Sequence, residues 1–250
     1  REMMPMFESE AEPLLRARSA GLGFVRTRTL HTFGRPESSI NECTRDLFRQ
    51  DSNVIFTLLA KPYGVDIRIT ARGSTPEEME LRLTRMEQLV MERVGTEDLY
   101  GSDDETLQSV VGRMLLERGE TVATAESCTG GLLAKLLTDQ SGSSAWFGQG
   151  WVTYSNEAKE QLLGVRRGTL EQFGAVSRET AREMAEQARA RSGATYALSI
   201  TGIAGPTGGT PEKPVGLVYI GLADRDGVEV SEQRFLSDRD HNRFQSALTA

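Results

Sequence analysis

Residues 121–139 read TVATAESCTGGLLAKLLTD, and they set the architecture of the second half of the chain. TVATAES (121–127) is a β-rich run, whereas GGLLAKLLTD (130–139) carries leucines at helical spacing. The stretch therefore predicts a strand that passes through a glycine turn into a helix. The alternation continues in residues 150–155 and 156–164, then in 177–193 and 195–202. Alternating strands and helices predict a sheet covered by helices on both faces.

The end of the chain adds antiparallel strands to this sheet. Residues 215–224 and 228–236 are two strand-like runs joined through DRDG (224–227), which is typical of an antiparallel hairpin. We therefore predict a three-layer α/β/α domain with a mixed sheet over residues 105–250. The polar stretch YGSDDE (100–105) is the expected domain boundary.

The first half predicts a smaller α+β domain over residues 25–99. Its β-α-β-β-α order resembles KH-like modules, some of which bind RNA, but it has no GXXG loop of the kind such RNA clamps use. We interpret it as a spacer or dimerisation module and expect a homo-oligomer. Thr75 followed by Pro76 marks the start of its long helix. Residues 1–24 are interpreted as the tail of a missing N-terminal domain.

Composition narrows the class of protein. The chain has 250 residues, 26% of them charged, and a formal net charge of −7, so we do not expect nucleic acid as a partner. It contains neither an apolar run long enough for a membrane span nor a signal-peptide pattern. The two cysteines, Cys43 and Cys128, lie far apart in the sequence, which favours a reducing cytoplasm. The two histidines, His31 and His241, are too few for a multi-histidine zinc site, and we expect no metal.

Lysine is scarce, because only four of the 29 Lys and Arg residues are lysines. One of them, Lys159, lies in VTYSNEAK (152–159). Either Ser155 or Asn156 can cap the helix that follows. With Asn156 as the cap, Lys159 falls in the first turn, where the helix dipole favours the neutral amine. A neutral lysine can deprotonate a serine hydroxyl. The alternatives are that Lys159 is a solvated helix residue and that Ser143 and Ser144 are turn residues.

Three further segments are typical of ligand sites. In TAESCTGG (124–131), Ser127 or Thr129 can cap a helix whose N-terminus attracts anions such as a nucleotide phosphate, although an ordinary strand-to-helix turn has the same pattern. The glycine-dense loop 201–214 follows a strand and matches neither a Walker A nor a GxGxxG motif. Arg239 in SDRD (237–240) can form a bidentate contact to a phosphate, or can be a solvated residue beside a capping aspartate.

Six ordered motifs together resemble one family. They are TAESCTGG, GSSAWF, VTYSNEAK, GAVS, SITGIAGPTGGTPEKPVG and SDRD. In this order they are similar to the C-terminal domain of the competence/damage-inducible protein A (CinA) family and to its stand-alone nicotinamide mononucleotide deamidases. Residues 25–99 resemble the family's KH-like middle domain, and residues 1–24 the end of its N-terminal pyrophosphatase domain. Pyrophosphatase activity is therefore not expected of this chain.

The resemblance implies an amidohydrolase that needs neither metal nor cofactor. Its substrate would be nicotinamide mononucleotide, and its products nicotinic acid mononucleotide and ammonia. By motif position, Ser144 matches the nucleophile, Lys159 the base and Tyr154 an assisting tyrosine. Residues implied to hold the substrate are Ser127, Thr129, Gly130, Gly131, Asn156, Thr201, Gly202, Gly205 and Arg239, with Ser127 in a supporting role.

Two other interpretations remain open at this stage. Cys128 could be the nucleophile, since thiolates at helix N-termini are activated, with His241 folding back as its base. Alternatively, the chain could be a non-catalytic regulatory module that binds a nucleotide or RNA.

Overall fold

The computed structural model describes residues 3–18, 23–61 and 63–250. The chain divides into two compact units, Arg1–Asp104 and Glu105–Ala250, and the division falls in the polar stretch 100–105. At the start of the first unit, helices α1 (Met3–Met6) and α2 (Glu12–Arg18) are joined by a π-helical turn. Residues 1, 2 and 19–22 lie outside the described residues. The interpretation of 1–24 as the tail of another domain stays a prediction.

The rest of the first unit is a sheet backed by helices. Its elements are β1 (Phe24–Thr32), α3 (Glu37–Thr44), β2 (Val54–Lys61), β3 (Gly64–Gly73), α4 (Pro76–Val94) and β4 (Leu99–Ser102). The strand order is β2-β3-β1-β4, with antiparallel neighbours. The side chain of Thr75 accepts a hydrogen bond from the Glu78 N–H and Pro76 begins α4, as predicted. The KH-like α+β fold is confirmed.

The second unit contains a mixed sheet and the remaining helices. The strands are β5 (Val122–Glu126), β6 (Phe147–Val152), β7 (Tyr196–Gly202), β8 (Leu217–Ala223) and β9 (Val228–Arg234). The helices are α5 (Leu107–Arg118), α6 (Leu132–Thr138), α7 (Asn156–Ala158), α8 (Arg167–Phe173), α9 (Arg178–Ser192) and α10 (Arg239–Thr249). A π-helical turn, Lys159–Leu163, continues α7. The strand order is β6-β5-β7-β8-β9; β5 is parallel to β6 and β7, and β8 is antiparallel to both of its neighbours.

Helices cover both faces of this sheet. Alternate side chains of a strand point to opposite faces, so each strand contributes residues to both cores. On one face, small strand residues such as Ala123 and Ala125 share a core with Met184 and Ala185 of α9. The other face forms a second core with α5, α6 and α10, made mainly of Leu115, Val122, Leu133, Leu137, Ile200, Val218 and Ala247. The predicted three-layer α/β/α arrangement is therefore confirmed.

Local signals at the ends of elements also agree with the sequence. Gly119 adopts a left-handed conformation (φ 64°) at the end of α5 and donates to the carbonyls of Leu115 and Leu116. The hairpin between β8 and β9 is present, and the Asp224 carboxylate accepts the N–H groups of Asp226 and Gly227 in its turn. None of the described helices is long and apolar enough to cross a bilayer.

Met184 tests the packing of α9 on the sheet, because its side chain is fully buried in that core. Met184→Ala should lower the free energy of unfolding of the second unit by about 2–5 kcal/mol, through lost burial and the cavity left behind. Tryptophan fluorescence in urea reports on this unit, since both tryptophans, Trp146 and Trp151, lie within it. Glu186→Ala, at an exposed position of the same helix, should change it by less than about 0.5 kcal/mol. An equal loss of unfolding free energy in the two variants would contradict the packing of Met184 between α9 and the sheet.

Candidate active site

Three of the motif segments, those that follow β5, β6 and β7, meet at the carboxyl edge of these parallel strands. Strands β5, β6 and β7 run in the same direction and end at Glu126, Val152 and Gly202. The segments after them therefore emerge side by side. The chain passes from β5 to β6 on one side of it, and then from β6 to β7 on the other side of β5. This is the position where open α/β sheets bind their ligands.

A buried polar contact at this edge joins Lys159 to Ser127. The Lys159 Nζ lies 3.1 Å from the Ser127 Oγ and 2.9 Å from the carbonyl oxygen of Thr153. Lys159 is only 1% exposed and Ser127 is 8% exposed. Ser155 caps α7 by accepting the Ala158 N–H, and the helical turn that follows directs the lysine inward. The result is a buried amine against a serine hydroxyl.

Burial lowers the pKa of Lys159 from 10.5 to about 8. Desolvation disfavours the charged ammonium, so the neutral amine is well populated in mildly alkaline solution. The predicted direction of this shift is confirmed, but its main cause is burial, and of the two candidate caps the helix uses Ser155. The alternative that Lys159 is a solvated residue is wrong.

The neutral amine gives this pair the chemistry of a nucleophile and its base. A lone pair on the Lys159 Nζ can accept the Ser127 hydroxyl proton, while a remaining N–H donates to the Thr153 carbonyl. The separation of 3.1 Å is within the range for direct proton transfer between a base and its nucleophile. The geometry therefore assembles a Ser-Lys pair around Ser127.

The predicted pairing of Ser144 with Lys159 is wrong. Ser144 is exposed in a short 3₁₀ turn before β6, and it lines a cavity of about 240 Å³ together with Thr121 and Val122 at the start of β5. Strand β6 lies between Ser144 and Lys159 and carries them to opposite edges of the sheet, roughly 20 Å apart for its six residues. The sequence did contain a signal for the Ser127–Lys159 pair, because both residues follow predicted strands of the parallel part of the sheet.

The predicted phosphate site at the start of α6 is also wrong. The buried Glu126 carboxylate already accepts the N–H groups of Gly131 (3.0 Å), Leu133 (3.0 Å) and Ala134 (2.8 Å). An anion at this helix end would meet a carboxylate in place of free N–H donors. Neither Ser127 nor Thr129 caps α6; its N-cap is Gly131, in a left-handed conformation. No sequence pattern indicates that the Glu126 side chain extends forward from the strand into the start of α6.

Arg243, from α10, holds the turn after Ser127. Its Nη2 donates to the carbonyl oxygen of Thr129 at 2.7 Å. Thr129 is fully buried. Gly130 has a left-handed φ of 62°, and a Cβ there would lie 3.4 Å from the same guanidinium. These two residues line the turn beneath Arg243.

A second cluster unites three of the predicted residues. The Arg239 guanidinium donates to the carbonyl oxygen of Gly205 at 2.6 Å and to the Tyr154 hydroxyl at 3.0 Å. Arg239 and Tyr154 are both exposed. Three different segments therefore converge on this guanidinium, which belongs to the first residue of α10.

The other predicted binding residues have mainly structural contacts. The buried Thr201 hydroxyl donates to the Ala175 carbonyl at 2.7 Å. Gly202 packs so closely on β8 that a Cβ would lie 2.6 Å from the Val218 Cγ2. Asn156 is exposed at the first position of α7. Their contacts with a substrate stay predictions.

Cys128 is unsuited to act as a thiolate. It is buried in the core beside α6, and desolvation raises the pKa of its thiol to about 11. His241 is bonded through Nδ1 to the exposed Asp238 carboxylate at 2.9 Å. Within 3–18, 23–61 and 63–250, no three His, Cys, Asp or Glu side chains are grouped to hold a metal ion.

Two known domain families match the chain, one in each of its two units. Residues 104–250 match the model of the CinA C-terminal domain, and residues 27–101 match that of the damage-inducible protein CinA KH domain. A CinA-like protein from Endomicrobium trichonymphae is 42% identical over 254 residues, a match that covers all of this chain and 59% of that protein. The chain thus spans about three fifths of the length of the curated relatives it matches.

Solved structures match the second unit. The competence/damage inducible protein CihA from Agrobacterium tumefaciens is 48% identical, with a TM-score of 0.54 over 56% of this chain and 88% of that one. The competence damage-inducible protein A (ComA) from Klebsiella pneumoniae is 37% identical, with a TM-score of 0.56 over 57% of this chain and 89% of that one. The two domain matches in sequence and the shared fold lead to one conclusion: this chain belongs to the CinA family.

Proposed function

We propose that residues 105–250 form an amidohydrolase domain that converts nicotinamide mononucleotide to nicotinic acid mononucleotide and ammonia. The observation that carries this proposal is the 3.1 Å contact between the Lys159 Nζ and the Ser127 Oγ in a buried site. It supports acyl transfer to a serine. The choice of substrate rests on the family resemblance of the ordered motifs.

In the first step, neutral Lys159 accepts the proton of Ser127 as its Oγ attacks the carboxamide carbon. The tetrahedral intermediate collapses with cleavage of the C–N bond, and Lys159 returns the proton to the nitrogen, which leaves as ammonia. Water then attacks the acyl-enzyme ester with Lys159 again as base. The products are the nicotinate nucleotide and free Ser127. A binding module would gain nothing from a buried lysine with a lowered pKa, which favours turnover over the regulatory alternative.

The surrounding groups have separate tasks in this proposal. Backbone N–H groups of the turn that follows Ser127 stabilise the developing oxyanion, and one good donor contributes roughly 3–4 kcal/mol. Arg239 binds the substrate phosphate, because its guanidinium is exposed beside Tyr154 and Gly205 of the 201–214 loop. Phosphate recognition at Arg239 would distinguish the mononucleotide from nicotinamide and nicotinamide riboside.

Replacing each serine separately tests the identity of the nucleophile. Ser127→Ala should lower ammonia release from nicotinamide mononucleotide by at least about 10³-fold, because no other hydroxyl replaces the attacking oxygen. Ser144→Ala is the matched control and should stay within about twofold of wild type. A coupled ammonia assay with nicotinamide and nicotinamide riboside as comparison substrates gives the rates. An inactive Ser144 variant beside an active Ser127 variant would refute the assignment.

The pH dependence tests the base. Below its pKa of about 8, Lys159 is protonated and cannot accept the Ser127 proton. The value of kcat/KM should therefore rise with pH between 6 and 9. It should reach half of its maximum near pH 8, and well below that pH it should increase about tenfold for each pH unit. A profile that is flat or falls over this range would show that a neutral lysine is not required.

A further inference from the structure

Glu126 precedes Ser127 and places its carboxylate inside the first turn of α6. We propose that Glu126 is a positioning residue that holds the Ser127 Oγ against the Lys159 Nζ. This inference rests on the proposed function, since it assigns a role within the same Ser-Lys site.

The Glu126 side chain spans the turn that carries the nucleophile. It leaves the end of β5 and accepts three N–H groups of α6 at 2.8–3.0 Å, with both carboxylate oxygens engaged and only 1% of the residue exposed. The turn 127–130 is thus tied at both ends to one residue. Within it, the Ser127 N–H donates to the Ile200 carbonyl and the Gly130 N–H donates to the Ser127 carbonyl.

The backbone of Glu126 also supports the base. Its carbonyl oxygen accepts the Thr153 N–H at 2.8 Å, and the Thr153 carbonyl accepts from the Lys159 Nζ at 2.9 Å. Glu126 is therefore linked to Ser127 through the chain and to Lys159 through Thr153. A shift of this strand end relative to α6 would change the distance between nucleophile and base, and displacements of about 1 Å can cost about 10²-fold in rate.

A carboxylate suits this position better than its neutral analogue. Three N–H donors converge on the side chain, and a carboxylate only accepts, whereas an amide would turn its NH₂ group toward one of those donors. The positive end of the α6 dipole also favours a negative group there. An aspartate is shorter by one methylene group and would not reach the same three donors from this strand.

Glu126→Gln tests the role, with Glu183→Gln as matched control. Glu183 is also a buried carboxylate at a helix start, where it accepts the Arg166 N–H at 2.9 Å and the Thr169 hydroxyl at 2.8 Å. Glu126→Gln should lower kcat for nicotinamide mononucleotide by about 10- to 100-fold with KM within about threefold. Glu183→Gln should keep kcat within about twofold, even if both variants unfold at a lower temperature.

A second readout does not depend on the natural substrate. A fluorophosphonate labels an activated serine when the Oγ forms a bond to phosphorus and fluoride leaves. Labelling of Ser127, located by peptide mass spectrometry and absent in Ser127→Ala, should slow in Glu126→Gln by about the same factor as kcat. If wild type releases no ammonia but labels Ser127 faster than Glu126→Gln does, the proposed function fails and the positioning role stands.

Several outcomes would overturn the positioning role. The role is overturned if a folded Glu126→Gln variant keeps the wild-type kcat and labelling rate. It is also overturned if Glu183→Gln loses as much kcat as Glu126→Gln does. If Glu126→Gln does not fold, Glu126→Asp replaces it and should show the same loss of kcat and of labelling. A folded Glu126→Asp variant with wild-type values of both would overturn the role.

Discussion

The proposed chemistry of the second unit depends on one interaction, the contact between the buried Lys159 amine and the Ser127 hydroxyl. Burial moves the pKa of Lys159 from 10.5 to about 8, a shift that corresponds to roughly 3 kcal/mol of disfavoured charge. A fold keeps such a residue only where packing supplies the stability that its desolvation removes. The two cores on either face of the second sheet have that role here. The lowered pKa is also what gives the lysine its use as a base.

Strand direction determines which residues form the site. Because β5 and β6 are parallel, the residues after them emerge at the same edge, and Ser127 meets Lys159. Strand direction also excludes Ser144 from the site, because Ser144 precedes β6 and so lies at the other edge. Glu126 adds a constraint of its own: by filling the start of α6 it fixes the turn that carries Ser127, and it leaves Arg239 as the better candidate for an anionic group.

The sequence predicted the layers of the fold well, because they follow from periodicity and from local signals such as Thr75 before α4 and Gly119 after α5. It also drew attention to Lys159, since histidine and lysine are scarce. The predictions for Ser144 and for the start of α6 were wrong, because tertiary contacts determine which groups meet there. No local pattern shows that Lys159 is buried, or that Glu126 reaches forward to residues five to eight positions along the chain.

The titration of Lys159 itself is the most direct test of the proposed Ser-Lys chemistry. The chain has only four lysines, Lys61, Lys135, Lys159 and Lys213. An NMR titration of protein labelled with ¹³C at the lysine Cε therefore gives a small set of resonances, and comparison with Lys159→Met assigns the one from Lys159. Because Lys159 is buried beside Ser127, this resonance should titrate with a midpoint near 8. A midpoint near the ordinary value of 10.5 would show a lysine that stays charged, and would contradict its role as the base for Ser127.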